Sequence, residues 1–322
     1  MQTLQDYFYK WVPEIDNHLS REIEGLNSIV TPLARHVLLS GGKRLRPILC
    51  MLTAAGLGYS EEKALPLACS LELIHSATLL HDDVLDGAEL RRGATAAHLS
   101  FGTTETILAG DALLALANKF VTSYNNISLT SCLSETIYQT ATGEILEIEK
   151  MKDTSLSEQE YLEIIIGKTG YLMQSCCQSS AILADSSAKL QEAAKSFGLN
   201  LGIAFQLIDD AMDYTKNEEM TGKPLGGDLR EGKLTLPLIF FLQSLQEDEQ
   251  QDVLTKIKEK RLPKKEENWI IEEIYNNRFS HKTKEEAMFY LQKASDALYF
   301  FPDNQAKEFL KEMIDFIRNR DN

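Results

Sequence analysis

The chain has 322 residues, 43% of them hydrophobic and 25% charged, with a formal net charge of −15. Such a chain can bury a globular core without disulfides or a structural metal. The acidic balance excludes a general nucleic-acid binder, which carries a basic stripe, and adhesion of the whole surface to anionic lipid. The five cysteines, Cys50, Cys69, Cys132, Cys176 and Cys177, form no C-x-x-C pair and sit in apolar or small-residue stretches. They read as buried thiols in a reducing compartment. Residues 1–11 hold no basic region followed by an apolar run, and every apolar stretch falls short of the roughly 18 residues of a membrane span. A cytoplasmic protein without a transmembrane segment is expected.

The first landmark is the turn Gly41-Gly42-Lys43-Arg44-Leu45-Arg46-Pro47, three cations immediately before a helix opened by proline. Helix N-termini offer free N–H groups to anions, although a plain basic surface turn has the same composition. From Glu61 to Asp86, Leu65, Ala68, Leu71, Ile74, Ala77 and Leu80 recur at helical spacing. The same period runs through 104–126, 131–151, 158–184, 188–216 and 284–299. Alternating β-branched runs are missing, so the spacing predicts an all-α, single-domain bundle over 1–322. Breaks are expected at Gly41-Gly42, Gly87 to Gly93, Asn125 to Thr130, Asp153 to Ser157 and 216–233. Beyond Glu247 charge rises, and the residues to about 320 read as peripheral C-terminal helices.

Two aspartate strings punctuate this pattern: Asp82, Asp83, Asp86 and Asp209, Asp210, Asp213, each spelling D-D-x-x-D after an apolar helical run. Residues i and i+4 share a helix face, so Asp82 points with Asp86 and Asp209 with Asp213. The middle aspartates lie roughly 100° around and are expected to play a lesser part. Gly87 is a natural helix stop, which places the first string at a C-terminus, where each acid costs roughly 0.3–1 kcal/mol against the helix dipole. A local violation of that kind is expected where function requires it. The compensating partner is a hard divalent cation, Mg²⁺ before zinc, since no cysteines or paired histidines accompany the strings. The plain alternative is a solvated acidic helix end.

Further polar groups flank these strings. Arg91 and Arg92 follow the first one and could grip phosphate bidentately or simply balance charge. His75 lies two turns before Asp82 on the same face. Gly167-Lys168-Thr169-Gly170 interrupts an apolar helix with two glycines, each costing about 1 kcal/mol relative to alanine. That reads either as a kink opening onto a ligand or as a packing pair with a snorkelling lysine.

Taken in order, G-G-K-R-L-R-P at 41–47, L-I-H-S-A-T-L-L-H-D-D-V-L-D at 73–86, R-R-G at 91–93, G-K-T at 167–169, F-Q-L-I-D-D-A-M-D-Y at 205–214 and G-K-P-L-G-G-D-L-R-E-G-K at 222–233 closely resemble the trans-isoprenyl diphosphate synthases, or polyprenyl synthetases. The resemblance implies an isoprenoid-synthase bundle with a deep cavity, a catalytic core over about 38–240, and a homodimer. It also implies Mg²⁺-dependent joining of isopentenyl diphosphate to an allylic diphosphate of geranyl or farnesyl type. Residue by residue, it makes Asp82 and Asp86 ligands of two Mg²⁺ ions and Asp209 the ligand of a third, with Asp83, Asp210 and Asp213 minor. It places Lys43, Arg46, His75 and Arg92 on isopentenyl diphosphate. Arg91, Lys168, Thr169, Gln206, Lys223 and Lys233 fall on the allylic diphosphate, and Lys168 is counted with Asp82, Asp86 and Asp209 as catalytic. Many relatives carry Pro-Thr soon after R-R-G, whereas this chain continues Ala94-Thr95-Ala96.

Two rivals carry different functions. A class I terpene cyclase also uses D-D-x-x-D but needs no second diphosphate site, which leaves Lys43, Arg46 and Arg92 unexplained. A non-catalytic subunit of a heteromeric synthase usually lacks one or both strings, and both are present here. For product length, Ala77 and Thr78 are small where short-chain relatives place an aromatic, and Ile74 and Leu71 follow further back on that face. Moving the floor back beyond Leu71 opens roughly 9 Å at 1.5 Å per residue, which predicts a product longer than farnesyl, with geranylgeranyl as the shorter alternative. Tyr138 is a candidate plug from a facing helix.

Overall fold

The computed structural model describes residues 3–91, 93–150, 156–215 and 225–320. In chain order the helices are α1 (Leu4–Ile23), α2 (Val30–Leu39), α3 (Leu45–Gly56), α4 (Glu61–Leu85), α5 (Ala97–Phe101), α6 (Thr103–Thr122), α7 (Ile127–Lys150) and α8 (Glu158–Ile165). A π-turn at Ile166–Gly170 leads into α9 (Tyr171–Leu183), followed by α10 (Ala188–Met212), α11 (Gly227–Glu231), α12 (Leu236–Ser244), α13 (Glu247–Lys258), α14 (Lys264–Asn276), α15 (Phe279–Ala297) and α16 (Gln305–Arg318). The all-α expectation holds. Two strands of two residues each, Leu90–Arg91 and Ala94–Thr95, pair antiparallel with Leu90 opposite Thr95. Segments this short carry no readable period. Gly93, at φ +79°, lies between the two strands, just before Ala94-Thr95-Ala96.

The chain divides into two compact units, one of Met1–Ile137, Leu172–Lys195 and Leu298–Met313, the other of Tyr138–Tyr171, Ser196–Ala297 and Ile314–Asn322. In the first, α4 is buried on nearly every side, through Leu67, Ala68, Leu71, Leu73, Ile74, Ala77 and Leu80. A helix apolar all round belongs inside a core, and α3 and α6 pack against it. Ser60 opens α4 by accepting from the Lys63 N–H. Its end is a Schellman turn: Ala88 N–H donates to the Asp83 carbonyl at 3.0 Å, Gly87 N–H to that of Val84 at 3.4 Å, and Gly87 takes φ +64°. The helix therefore stops where Gly87 predicts, with Asp86 as its cap. All five cysteines are free thiols, and burial pushes Cys50 up to about 12.

The second unit has its own apolar core, in which Tyr214, Leu238, Phe241, Leu254, Ile270 and Ile274 are buried together. Trp269 meets Phe241 edge-on at 5.4 Å between ring centres. Helices α13 and α14, beyond Glu247, thus supply core side chains to this unit. Of the expected breaks, residues 153–155 and 216–224 lie outside the described residues, and 216–233 contains the short helix α11. Two further boundaries differ from expectation. The break at Asn125 to Thr130 is shorter, because the Asn126 side chain accepts from the Leu129 N–H at 3.1 Å and α7 starts at Ile127. Gly167 to Gly170 does not interrupt the helix; the backbone widens by one π-turn and continues into α9, a bulge common at functional sites.

Candidate active site

Helix α4 carries His75, Asp82, Asp83 and Asp86. Asp82 and Asp86 are half-buried and lie one turn apart on one face. Asp83 turns the other way and is buried, with its Oδ1 accepting from Arg91 Nε at 2.7 Å. Arg91, expected on the allylic diphosphate, thereby ties the strand pair to α4. His81 fastens the same helix end to α6, with Nε2 3.1 Å from the Ile107 carbonyl oxygen. Gly110 of α6 gives it room, since a Cβ there would collide with the imidazole ring. His75 is half-buried two turns earlier.

The glycine turn presents two cations where the sequence suggested three. Lys43 is exposed and Arg46 half-buried, but Arg44 is buried and held by Asp16 and Glu72. Its left-handed backbone (φ +48°) reverses the side chain into the unit.

In the second unit, the Lys168 ammonium projects from the π-turn between Glu144, at 2.8 Å, and Glu147. Burial pulls that ammonium down, but the two carboxylates more than offset this and hold it above the ordinary lysine range. The turn reaches them because α7 comes against it at Gly143, where a Cβ would lie 2.6 Å from the Gly167 Cα. Thr169 donates to Gln206 Oε1 at 2.8 Å, Gln206 Nε2 donates to Asp210 at 2.7 Å, and Tyr161 donates to the other oxygen of Asp210 at 2.5 Å. Thr169 and Gln206, both expected at the allylic diphosphate, thus form one relay ending on the buried Asp210, which Tyr161 bonds from its other side. Burial pushes Asp210 up to about 7.

Asp213 accepts from the Gly227 N–H at 3.0 Å and the Asp228 N–H at 2.9 Å, capping the start of α11. Burial, with the Asp210 and Asp213 charges, pushes Asp228 well above the carboxylate range. Of the second string, Asp209 is exposed, with Arg320 Nη2 3.1 Å away and that guanidinium stacked over Phe205 at 4.2 Å. Lys233 pairs with Glu231 at 2.7 Å. Arg92 and Lys223 lie outside the described residues. Sequence reasoning missed Glu144, Glu147, Tyr161, Asp228 and Arg320. Only Asp228, inside G-K-P-L-G-G-D-L-R-E-G-K, lay within a motif that could have flagged it.

Among the described residues no three histidine, cysteine, aspartate or glutamate side chains gather into a metal shell. The donors that do align, Asp82 and Asp86, are hard oxygens on one turn at the negative end of a helix. That set fits Mg²⁺, which keeps several waters and takes its remaining oxygens from phosphate.

An all-α fold with aspartate strings ending long helices, a lysine on a π-turn and a basic turn before α3 defines a prenyltransferase of the isoprenoid-synthase kind. The chain belongs to the polyprenyl synthetase family, whose model matches residues 27–284. It is 36% identical over 240 residues to octaprenyl diphosphate synthase of Escherichia coli, covering 74% of each chain. It is likewise 36% identical over 241 residues to geranylgeranyl diphosphate synthase of Methanosarcina mazei, covering 71% of this chain and 74% of that one. Among solved structures, the polyprenyl synthase of Caulobacter crescentus, crystallised with calcium and isoprenyl diphosphate, superposes at a TM-score of 0.91 with 34% identity, over 99% of this chain and 98% of that one. The chain is a prenyltransferase of the polyprenyl diphosphate synthase type.

Proposed function

We propose that this enzyme condenses isopentenyl diphosphate head-to-tail with an allylic diphosphate, in a Mg²⁺-dependent reaction, to give a linear all-trans polyprenyl diphosphate longer than farnesyl. The observation that carries the reading is the sorting of the aspartates. Asp83 and Asp210 are buried in bonds to Arg91, Tyr161 and Gln206, while Asp82, Asp86 and Asp209 stand at or near solvent.

Asp82, Asp86 and Asp209 would hold the metal, and when bound it would neutralise charge developing on the departing diphosphate. Lys168, Thr169 and Gln206 orient the allylic diphosphate, with Arg91, Lys223 and Lys233 adding charge. Lys43, Arg46, His75 and Arg92 hold isopentenyl diphosphate so that its double bond meets the allylic carbon as the C–O bond breaks. The new C–C bond leaves a cation on the former isopentenyl unit, which loses a proton to the released diphosphate. Apolar walls keep water from quenching either cation. We further propose a cytoplasmic homodimer. Among the described residues no helix is long and apolar enough to cross a membrane. Leu108 and Ile107 of α6 and Leu99 and Phe101 of α5 are exposed apolar side chains that a second copy would cover.

Radiolabelled isopentenyl diphosphate offered with primers of several lengths, with and without Mg²⁺, tests the reading through the dephosphorylated products. A cyclic hydrocarbon formed without isopentenyl diphosphate would favour a terpene cyclase. No turnover by the isolated chain would favour a subunit of a heteromeric synthase. A relative named for geranylgeranyl is as similar as one named for octaprenyl, so the small residues before Asp82 carry the length assignment.

A further inference from the structure

Arg44 sits among the cations of the glycine turn, yet its side chain is buried between Asp16 and Glu72. Its backbone is left-handed at φ +48° and ψ +36°, a conformation that strains any residue with a Cβ. Its side chain is 1% exposed. Nε donates to Asp16 Oδ1 of α1 at 2.7 Å, Nη1 to Glu72 Oε1 of α4 at 2.7 Å, and Nη2 to the Leu38 carbonyl of α2. Glu72 is itself buried, its side chain 5% exposed. Buried charges of this kind contribute little net stability compared with apolar residues of the same volume. Strain and a buried guanidinium together therefore require an explanation other than fold stability.

Geometry supplies one. With Arg44 drawn inward and Leu45 and Pro47 buried, Lys43 on one side is exposed and Arg46 on the other is half-exposed. Glu72 lies one turn before His75 on α4. One guanidinium thus fixes the Lys43–Arg46 turn against the helix that carries His75 and Asp82. We propose that Arg44, clamped by Asp16 and Glu72, is a positioning residue for the homoallylic diphosphate site, setting the distance and angle between the Lys43 and Arg46 cations and His75. The proposal rests on the reading that Lys43, Arg46 and His75 bind isopentenyl diphosphate.

The test replaces the pair with apolar residues of similar volume, Arg44→Met with Glu72→Leu, and measures Tm alongside KM for each substrate. The expected result is a Tm close to wild type, KM for isopentenyl diphosphate raised about tenfold, equivalent to about 1.4 kcal/mol, and KM for the allylic substrate unchanged. Unchanged values for both substrates in a folded variant would mean that the clamp is only structural and would overturn the proposal. Glu72→Gln keeps the shape and one acceptor oxygen and serves if the double variant does not fold. It should raise KM for isopentenyl diphosphate several-fold, and no rise would again overturn the proposal. Lys43→Ala and Arg46→Ala separate the two levels. If neither changes KM for isopentenyl diphosphate, the substrate reading itself is wrong; if both raise it while the Arg44 and Glu72 variants do not, only the positioning role falls.

Discussion

Gly143 of α7 and Gly167 of the π-turn touch backbone to backbone: a Cβ on Gly167 would fall 2.5 Å from the Gly143 Cα. Both carry helical backbone without positive φ, so close approach and not conformational freedom is what requires glycine. Lys168 reaches Glu144 and Glu147 across this contact. Gly143→Ala or Gly167→Ala should force the two segments apart and destabilise the protein by about 1–3 kcal/mol. Chemical denaturation measures the loss, and kcat should fall with it because Lys168 is displaced. Wild-type stability in both variants would show that the segments separate without cost.

Asp82 and Asp86 crowd the negative end of α4 with like charges one turn apart. Asp82→Ala should abolish turnover at saturating Mg²⁺ while leaving the fold intact. Without metal it should melt at the wild-type temperature or slightly above, since the loss of one acid relieves the cluster. Residual kcat above a few per cent of wild type would remove Asp82 from the metal site.

The end of α4 was legible in the sequence because a Schellman turn needs only Gly87 and the apolar run before it. The inward orientation of the middle aspartates was also legible, because 100° per residue turns Asp83 and Asp210 away from their neighbours. Asp213 was not: i,i+4 spacing grouped it with Asp209, but α10 ends at Met212 and the carboxylate caps α11 instead. The inward turn of Arg44 was hidden for a related reason, since its partners Asp16 and Glu72 lie far off in sequence. Tyr161 and Arg320 belong to no local pattern, and only folding brings them to Asp210 and Asp209.

The two diphosphate sites should be separable kinetically. Lys168→Ala should impair use or ionisation of the allylic substrate, by roughly 1.5–3 kcal/mol for a charge-assisted contact, and leaves Glu144 and Glu147 without their cation. Arg92→Ala should chiefly raise KM for isopentenyl diphosphate. Initial-rate kinetics with each substrate varied in turn decides the matter. One shared pattern in both variants would contradict the division.

Burial pushes Asp210 up to about 7 from 3.8. In metal-free protein the folded chain therefore holds a proton there that the unfolded chain releases, and the associated stability is complete below about pH 4 and lost as pH rises through about 7. Asp210→Asn cannot ionise, so its stability relative to wild type should increase with pH across that window. Denaturation midpoints at several pH values without Mg²⁺ measure this, and a constant difference between the two proteins would place the titration elsewhere.

A product path along α4 would make chain length depend on Ala77. Ala77, Ile74 and Leu71 are buried along one face of α4, and Thr78 beside them is half-buried with its hydroxyl donating to the His75 carbonyl at 2.8 Å. Tyr138, the candidate plug, is 64% exposed and packs into no core. If the growing chain runs back along α4 from Asp82, no aromatic on this face stops it before Leu71, roughly 9 Å further on. Ala77→Phe should then shorten the product while preserving the first condensation, because the added ring would fill space the later isoprene units need. The competing account makes Ala77 a packing residue, in which case the phenyl ring overpacks the core and costs about 1–3 kcal/mol. Melting temperature and product length on the same variant separate the two. A shorter product at near wild-type Tm supports the path along α4, and a lowered Tm with unchanged product lengths shows that the chain passes elsewhere.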